Sequence, residues 1–151
     1  MPNMPRSPKS SFIELPCACG NLRRVARIVT RLYDQELKSV GLEISQHGLL
    51  TALDKAGEVN QKWLSSFFAM DSTTLTRTLG RMSTHGWVRS QPGRDRRERL
   101  FSLTTAGKHK LREAQPHWKR AQQSLRKMLR EQGWKVMRET VSTMTKAATG
   151  A

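Results

Sequence analysis

Arg94, Arg96, Arg97 and Arg99 fall within six residues, inside the stretch "GRDRRERLFSLTTAG", with Asp95 among them. Guanidinium groups this crowded repel one another, and phosphates facing them relieve the repulsion. The chemistry on offer is polyanion binding; the bland alternative is a solvated basic loop. Upstream, "STTLTRTLGRMSTHG" spaces hydroxyls and cations as on one side of a helix. Thr73, Thr74, Arg77 and Arg81 share that side, Ser72 opens it, and Thr76 stands beside it. Such side chains reach base edges and phosphates in a major groove. The alternative there is a polar helix face turned to water.

Composition supports the same partner. The 151 residues carry 27 Lys and Arg against 12 Asp and Glu, a formal charge of +15. So large an excess attracts polyanions, with nucleic acid first among them. An anionic membrane surface has no separate basic amphipathic helix to serve it. The length fits one domain with a modest core. No apolar run reaches transmembrane length and no signal-peptide core opens the chain, so a cytoplasmic location is expected. Cys17 and Cys19 are too close to form a useful staple, which fits a reducing compartment. His47, His85, His109 and His117 show no pairing at ligand spacing, so neither a metal nor another cofactor is expected. Nucleophile elbows, phosphate-binding glycine loops and paired carboxylates are absent from the sequence, which gives enzyme activity no support.

The elements that must position the arginines can be read from periodicity. Residues 1–14 are rich in Pro, Ser and charge and read as a flexible arm. A first helix spans Asn21 to Val40, its face made by Leu22, Val25, Val29, Leu32 and Leu37, with Gly41 as its stop. A second runs from an N-cap at Ser45 through Leu49, Leu50 and Leu53 to Gly57. Asn60 caps a short third helix that turns Trp63, Leu64, Phe67 and Phe68 inward. Asp71 or Ser72 caps the fourth, which buries Leu75, Leu79 and Met82 and ends at Gly86. "WVRSQ" and "RLFSL" are two strands joined by "PGRDRRE". Thr104 caps a long helix to about Gln132, where Leu111, Ala114, Trp118, Ala121, Leu125 and Met128 keep heptad spacing. Pro116 should bend it. Trp134, Met137, Val141 and Met144 continue the heptad in a final short helix.

Two short helices followed by a strand pair with a basic tip define a winged helix-turn-helix. The hairpin holds its tip at a fixed distance from the second helix, within reach of an adjacent minor groove. At this point the sequence resembles the MarR (multiple antibiotic resistance regulator) family of winged-helix transcription factors. Asp95-x-Arg97 followed by Phe101-x-Leu103-Thr104-x-x-Gly107 matches the family's wing-to-helix signature. "STTLTR" is similar to its recognition-helix start and "GWVRS" to its exit into the wing. Ser65, where Ala is common, and Gly80, inside the recognition helix, depart from the pattern.

The resemblance implies a mainly α fold in a homodimer. Residues 15–44 and 108–151 would interleave with a partner, and 45–107 would form the DNA-binding core. It implies that Arg97 enters the minor groove with Asp95 orienting it, while Thr73, Thr74 and Arg77 face the major groove of a pseudo-palindromic operator. The function expected is a sequence-specific duplex-DNA regulator, a repressor released by a small molecule or an oxidant. A non-specific nucleoid protein and an RNA-binding protein are the alternatives. Few aromatics stand free here for RNA stacking.

Two triggers are open. Cys17 and Cys19 sit at a helix start, with Arg23 and Arg24 just beyond, an environment that favours thiolate chemistry. The family's hydroperoxide sensors pair such a cysteine with tyrosines of the partner subunit. Tyr33 has a similar spacing, but it is the only tyrosine, and Ile44 occupies the second position. The other reading is small residues packing at a helix start. Relatives that bind aromatic anions do so between the dimer helices and the winged domain, with Arg24, His47 and Trp63 as candidate lining here.

Overall fold

The computed structural model describes residues 16–95 and 97–150. The expected arm at 1–14 and Arg96 lie outside the described residues. The elements run α1 (Ala18–Leu37), a 3₁₀ turn (Lys38–Val40), α2 (Ile44–Ala56), β1 (Val59–Asn60), α3 (Gln61–Phe68), α4 (Ser72–Thr84), β2 (Val88–Pro92), β3 (Arg99–Leu103) and α5 (Thr105–Thr149). β3 is the middle of a small antiparallel sheet, ordered β1-β3-β2. Val88 pairs with Leu103 and Pro92 with Arg99 across the hairpin, while Asn60 pairs with Leu100 on the other side.

Several caps follow from residue type. Asn60 accepts the Trp63 N–H at 2.8 Å, Asp71 the Thr74 N–H at 2.9 Å, and Thr104 the Gly107 N–H at 3.0 Å. α2 starts earlier than expected. Its cap is Glu43, whose side chain accepts the Gln46 N–H while Gln46 Oε1 accepts the Glu43 N–H at 3.0 Å. Asp34 takes the Ile44 N–H at 2.7 Å, and Ser45, the expected cap, falls in the first turn of the helix.

The core gathers Leu37, Leu42, Leu49, Leu50, Leu53, Leu64, Leu75, Leu79 and Met82 beneath Trp87, Val88 and Phe101, with Ala114 of α5 closing it. Two expected burials fail. Trp63 and Phe67 are 39% and 63% exposed, because a helix of 8 residues meets the core along one narrow face, which Leu64 and Phe68 take. The two rings stack on each other instead, 4.9 Å apart. On α1, Leu22 and Val25 of the expected face remain 46% and 55% exposed, and Ile28, outside that face, 51%; among the described residues of α1, Tyr33 and Leu37 are the buried ones.

α5 divides close to the expected boundary near Gln132, and Pro116 does not break it. Pro116 leaves helical dihedrals intact at its exposed position, where water can satisfy the carbonyl it deprives. The interruption falls at Arg130, φ 58° and ψ 172°, a region costly for any residue but glycine. An Arg126–Glu131 ion pair at 2.8 Å spans the break.

The root of the wing is closely packed. Thr104 donates its N–H to the Trp87 carbonyl at 3.1 Å, and its hydroxyl also bonds the Gly86 carbonyl. A Cβ on Gly107 would lie 2.1 Å from the Trp87 carbonyl oxygen. Gly107→Ala should therefore cost about 3 kcal/mol or more, lowering Tm by roughly 6–12 °C in a chain of this size. A thermal melt that moved by less than about 2 °C would show that the backbone there is free to yield.

Candidate nucleic-acid interface

The wing tip is shaped by its own backbone. Gly93 N–H donates to the Glu98 carbonyl at 2.8 Å and Glu98 N–H to the Asp95 carbonyl at 2.9 Å. Asp95 Oδ1 accepts the Arg97 N–H at 3.0 Å, an Asx turn. Asp95 thus acts on the backbone that carries Arg97. Arg94 and Arg97 are exposed at the tip. Arg99 behaves differently: its Nη2 donates to Ser90 Oγ across the hairpin at 2.8 Å.

α4 presents Ser72, Thr73, Thr76 and Arg77 to solvent, with Thr74 half-buried. Hydrogen bonds from Thr74 hold the Asp71 carboxyl below its ordinary range, so the cap stays ionised. Thr76 is committed: its hydroxyl donates to the Ser72 carbonyl at 2.8 Å and accepts from Gln61 Nε2 at 2.7 Å. That second bond fixes α3 against α4.

A groove of about 910 Å³ separates the start of α3 and α4 from the wing, lined by Ser72, Asp95, Arg97 and Arg99 among others. Lys62, Gln61 and Ser66 line it too. The sequence reading missed these, and Lys62, a lysine in the first turn of a capped helix, was the available signal. Arg81 does not join this group. It lies at the far end of α4, 4.0 Å from Glu43, in a separate hollow of about 560 Å³ with Arg31, Asp34, Lys38 and His85.

The expected effector residues are not brought together. Arg24 is exposed on α1, Trp63 is stacked on Phe67, and His47 is buried against Trp118, their ring centroids 5.8 Å apart. None of the three lines either hollow. Cys17 and Cys19 are free and exposed. Tyr33, by contrast, donates its hydroxyl to Gln122 of its own chain, and burial raises its pKa, which keeps it a donor. Among the described residues no group of three or more His, Cys, Asp or Glu is gathered to hold a metal ion.

A basic hairpin docked beside a two-helix turn, on a mainly helical frame, defines a winged helix-turn-helix protein. Residues 40–98 match the MarR family profile. An uncharacterised HTH-type transcriptional regulator of Bacillus subtilis, YwoH, is 33% identical over 92 residues, covering 61% of this chain and 67% of that protein. The Mycobacterium tuberculosis transcriptional regulator MosR, solved in complex with DNA, superposes with a TM-score of 0.79 at 30% identity, over 89% of this chain and 97% of that one. A mutant Escherichia coli MarR complexed with operator DNA shares the fold, with a TM-score of 0.75 at 23% identity over 83% and 91% of the two chains. The chain belongs to the MarR family.

His47 carries a test of its environment. Its Nε2 is buried without a hydrogen-bond partner among the described residues, and burial lowers its pKa below the ordinary 6.5 or so. An unfolded chain therefore takes up a proton that the folded one refuses. The stability contributed by neutral His47 is full above about pH 6.5 and falls as pH drops through that value. His47→Phe, which keeps a ring against Trp118, should raise Tm and flatten its decline between about pH 7 and pH 5. Parallel pH profiles for the two proteins would contradict the buried neutral imidazole.

Proposed function

We propose that this protein is a cytoplasmic, homodimeric regulator that binds a pseudo-palindromic duplex operator in a sequence-specific way and represses transcription until an effector releases it. It is a binding protein and not an enzyme. The observation that carries the reading is the shared groove: Ser72 at the start of α4 and Arg97 at the wing tip face one hollow on a chain of charge +15. Thr73, Thr74 and Arg77 then read the major groove, and Arg97 and Arg94 the adjacent minor groove. Solved relatives of this fold bound to DNA support it. The exposed apolar strip of Leu22, Val25 and Ile28, with Val136, Val141 and Met144 at the end of α5, supports the second copy. No helix among the described residues is long and apolar enough to cross a membrane.

For the trigger, a small molecule is favoured over an oxidant. The hollow beside Arg81 has a ligand's volume and joins α1 and α2 to α4. The Tyr33 hydroxyl is already occupied by Gln122, which removes a donor from any thiol sensor.

Binding is tested by fluorescence anisotropy at fixed salt, using the best duplex selected from a random pool against a scrambled one. Selective binding is expected, with log affinity falling against log salt at a slope of about −5 to −9. Arg97→Ala should weaken binding to every duplex by about tenfold or more, whereas Thr73→Ala or Arg77→Ala should change the preferred bases. Equal affinity for selected and scrambled duplexes would favour the nucleoid reading, and preference for structured RNA the third. Hydroperoxide should leave the selectivity intact; its loss on oxidation would restore Cys17 and Cys19 as the trigger.

A further inference from the structure

A side-chain bond that no motif records ties the wing to the helix-turn-helix. Asn60 pairs with Leu100 in the β1–β3 ladder. Side chains two residues apart on a strand share a face, so Glu98 is the diagonal neighbour of Asn60. Asn60 Nδ2 donates to Glu98 Oε1, while Asn60 Oδ1 is accepting the Trp63 N–H at the start of α3. One amide thus caps a helix with its oxygen and grips the wing with its nitrogen.

The wing tip makes room for this. Glu98 folds across Gly93, where a Cβ would meet Glu98 Oε2 at 2.8 Å and Glu98 Cβ at 2.9 Å. The Glu98 backbone closes the tip through Gly93 and Asp95. A second link, from Gln91 Nε2 to Glu58 Oε2, ties the other strand to the residue before β1. Glu98 is also a carboxylate beside Arg97 and Arg99 in the groove proposed to receive phosphates, where its charge opposes binding. A residue with that cost must contribute through geometry.

We infer that Asn60–Glu98 is a specificity-determining tether: it fixes the reach of the wing from α3, so that Arg97 and the α4 face engage DNA in one register. Both are positioning residues. The inference rests on the DNA-binding reading above, and one arm of its test needs no DNA.

Asn60→Asp keeps a good helix cap but replaces the donor with a carboxylate facing Glu98. Glu98→Gln keeps an acceptor for Asn60 and removes the charge. Combining Asn60→Asp with Glu98→Gln restores the bond with its polarity reversed. In the free protein, hydrogen exchange should show the Gly93 and Glu98 amides about tenfold less protected in Asn60→Asp, and near wild type in the double variant. In anisotropy, Asn60→Asp should lower the selected-to-scrambled affinity ratio about tenfold, and the double variant should recover it to within about threefold. Glu98→Gln alone should raise affinity for both duplexes with the ratio unchanged. Far-ultraviolet circular dichroism and Tm confirm that each variant folds. Unchanged protection in Asn60→Asp, or a double variant no better than the single one, overturns the tether. Loss of selectivity in the wild type with the exchange pattern intact overturns the functional reading and leaves the tether standing.

Discussion

The first turn of α5 lies so close to the Trp87 carbonyl that only hydrogen fits on the α-carbon of Gly107. Thr104 completes the contact, capping α5 while bonding the carbonyls of Gly86 and Trp87. Four elements meet there: the exit of α4, the start of β2, the end of β3 and the start of α5. The relative placement of the helix-turn-helix, the wing and the long helix follows from this junction. It also explains the Leu103-Thr104-x-x-Gly107 part of the signature, whose residues serve the joint. Any displacement of α5 is transmitted to the root of the wing, because packed joints shift between discrete arrangements and do not stretch.

Near the basic face, the acids have structural duties. Asp71 caps α4, Asp95 turns the backbone under Arg97, and Glu98 holds Asn60. Each carboxylate accepts an N–H within the fold. They shape the surface more than they neutralise it, which leaves the cations exposed and well aimed.

Much of this was legible in the sequence because it is local. Caps at Asn60, Asp71 and Thr104, the two hairpin strands, and the burial of Leu75, Leu79 and Met82 each depend on a few neighbouring residues. The candidate DNA face was legible in part: Ser72 and Arg97 share a groove, while Arg81 belongs to another corner. What escaped depends on distant partners. β1 has 2 residues and exists only because β3 runs beside it. Glu43 caps α2 in concert with Gln46, and with Asp34 from a different helix. Trp63 and Phe67 have core-like side chains on a helix too short to bury them. Asn60 could be seen as a cap, but its second bond needed the sheet register to be known.

The break at Arg130 bears on how the chain acquires its structure. Beyond it, Val136, Val141 and Met144 remain 49%, 55% and 42% exposed. Helix propagation across a residue held at φ 58° is interrupted, so Glu131 to Thr149 must nucleate anew. A 19-residue helix with so much apolar surface left uncovered is marginal in water, whereas association would supply the missing surface. For a dimer, completion of this last segment becomes a bimolecular event, and its stability is set by protein concentration as much as by sequence.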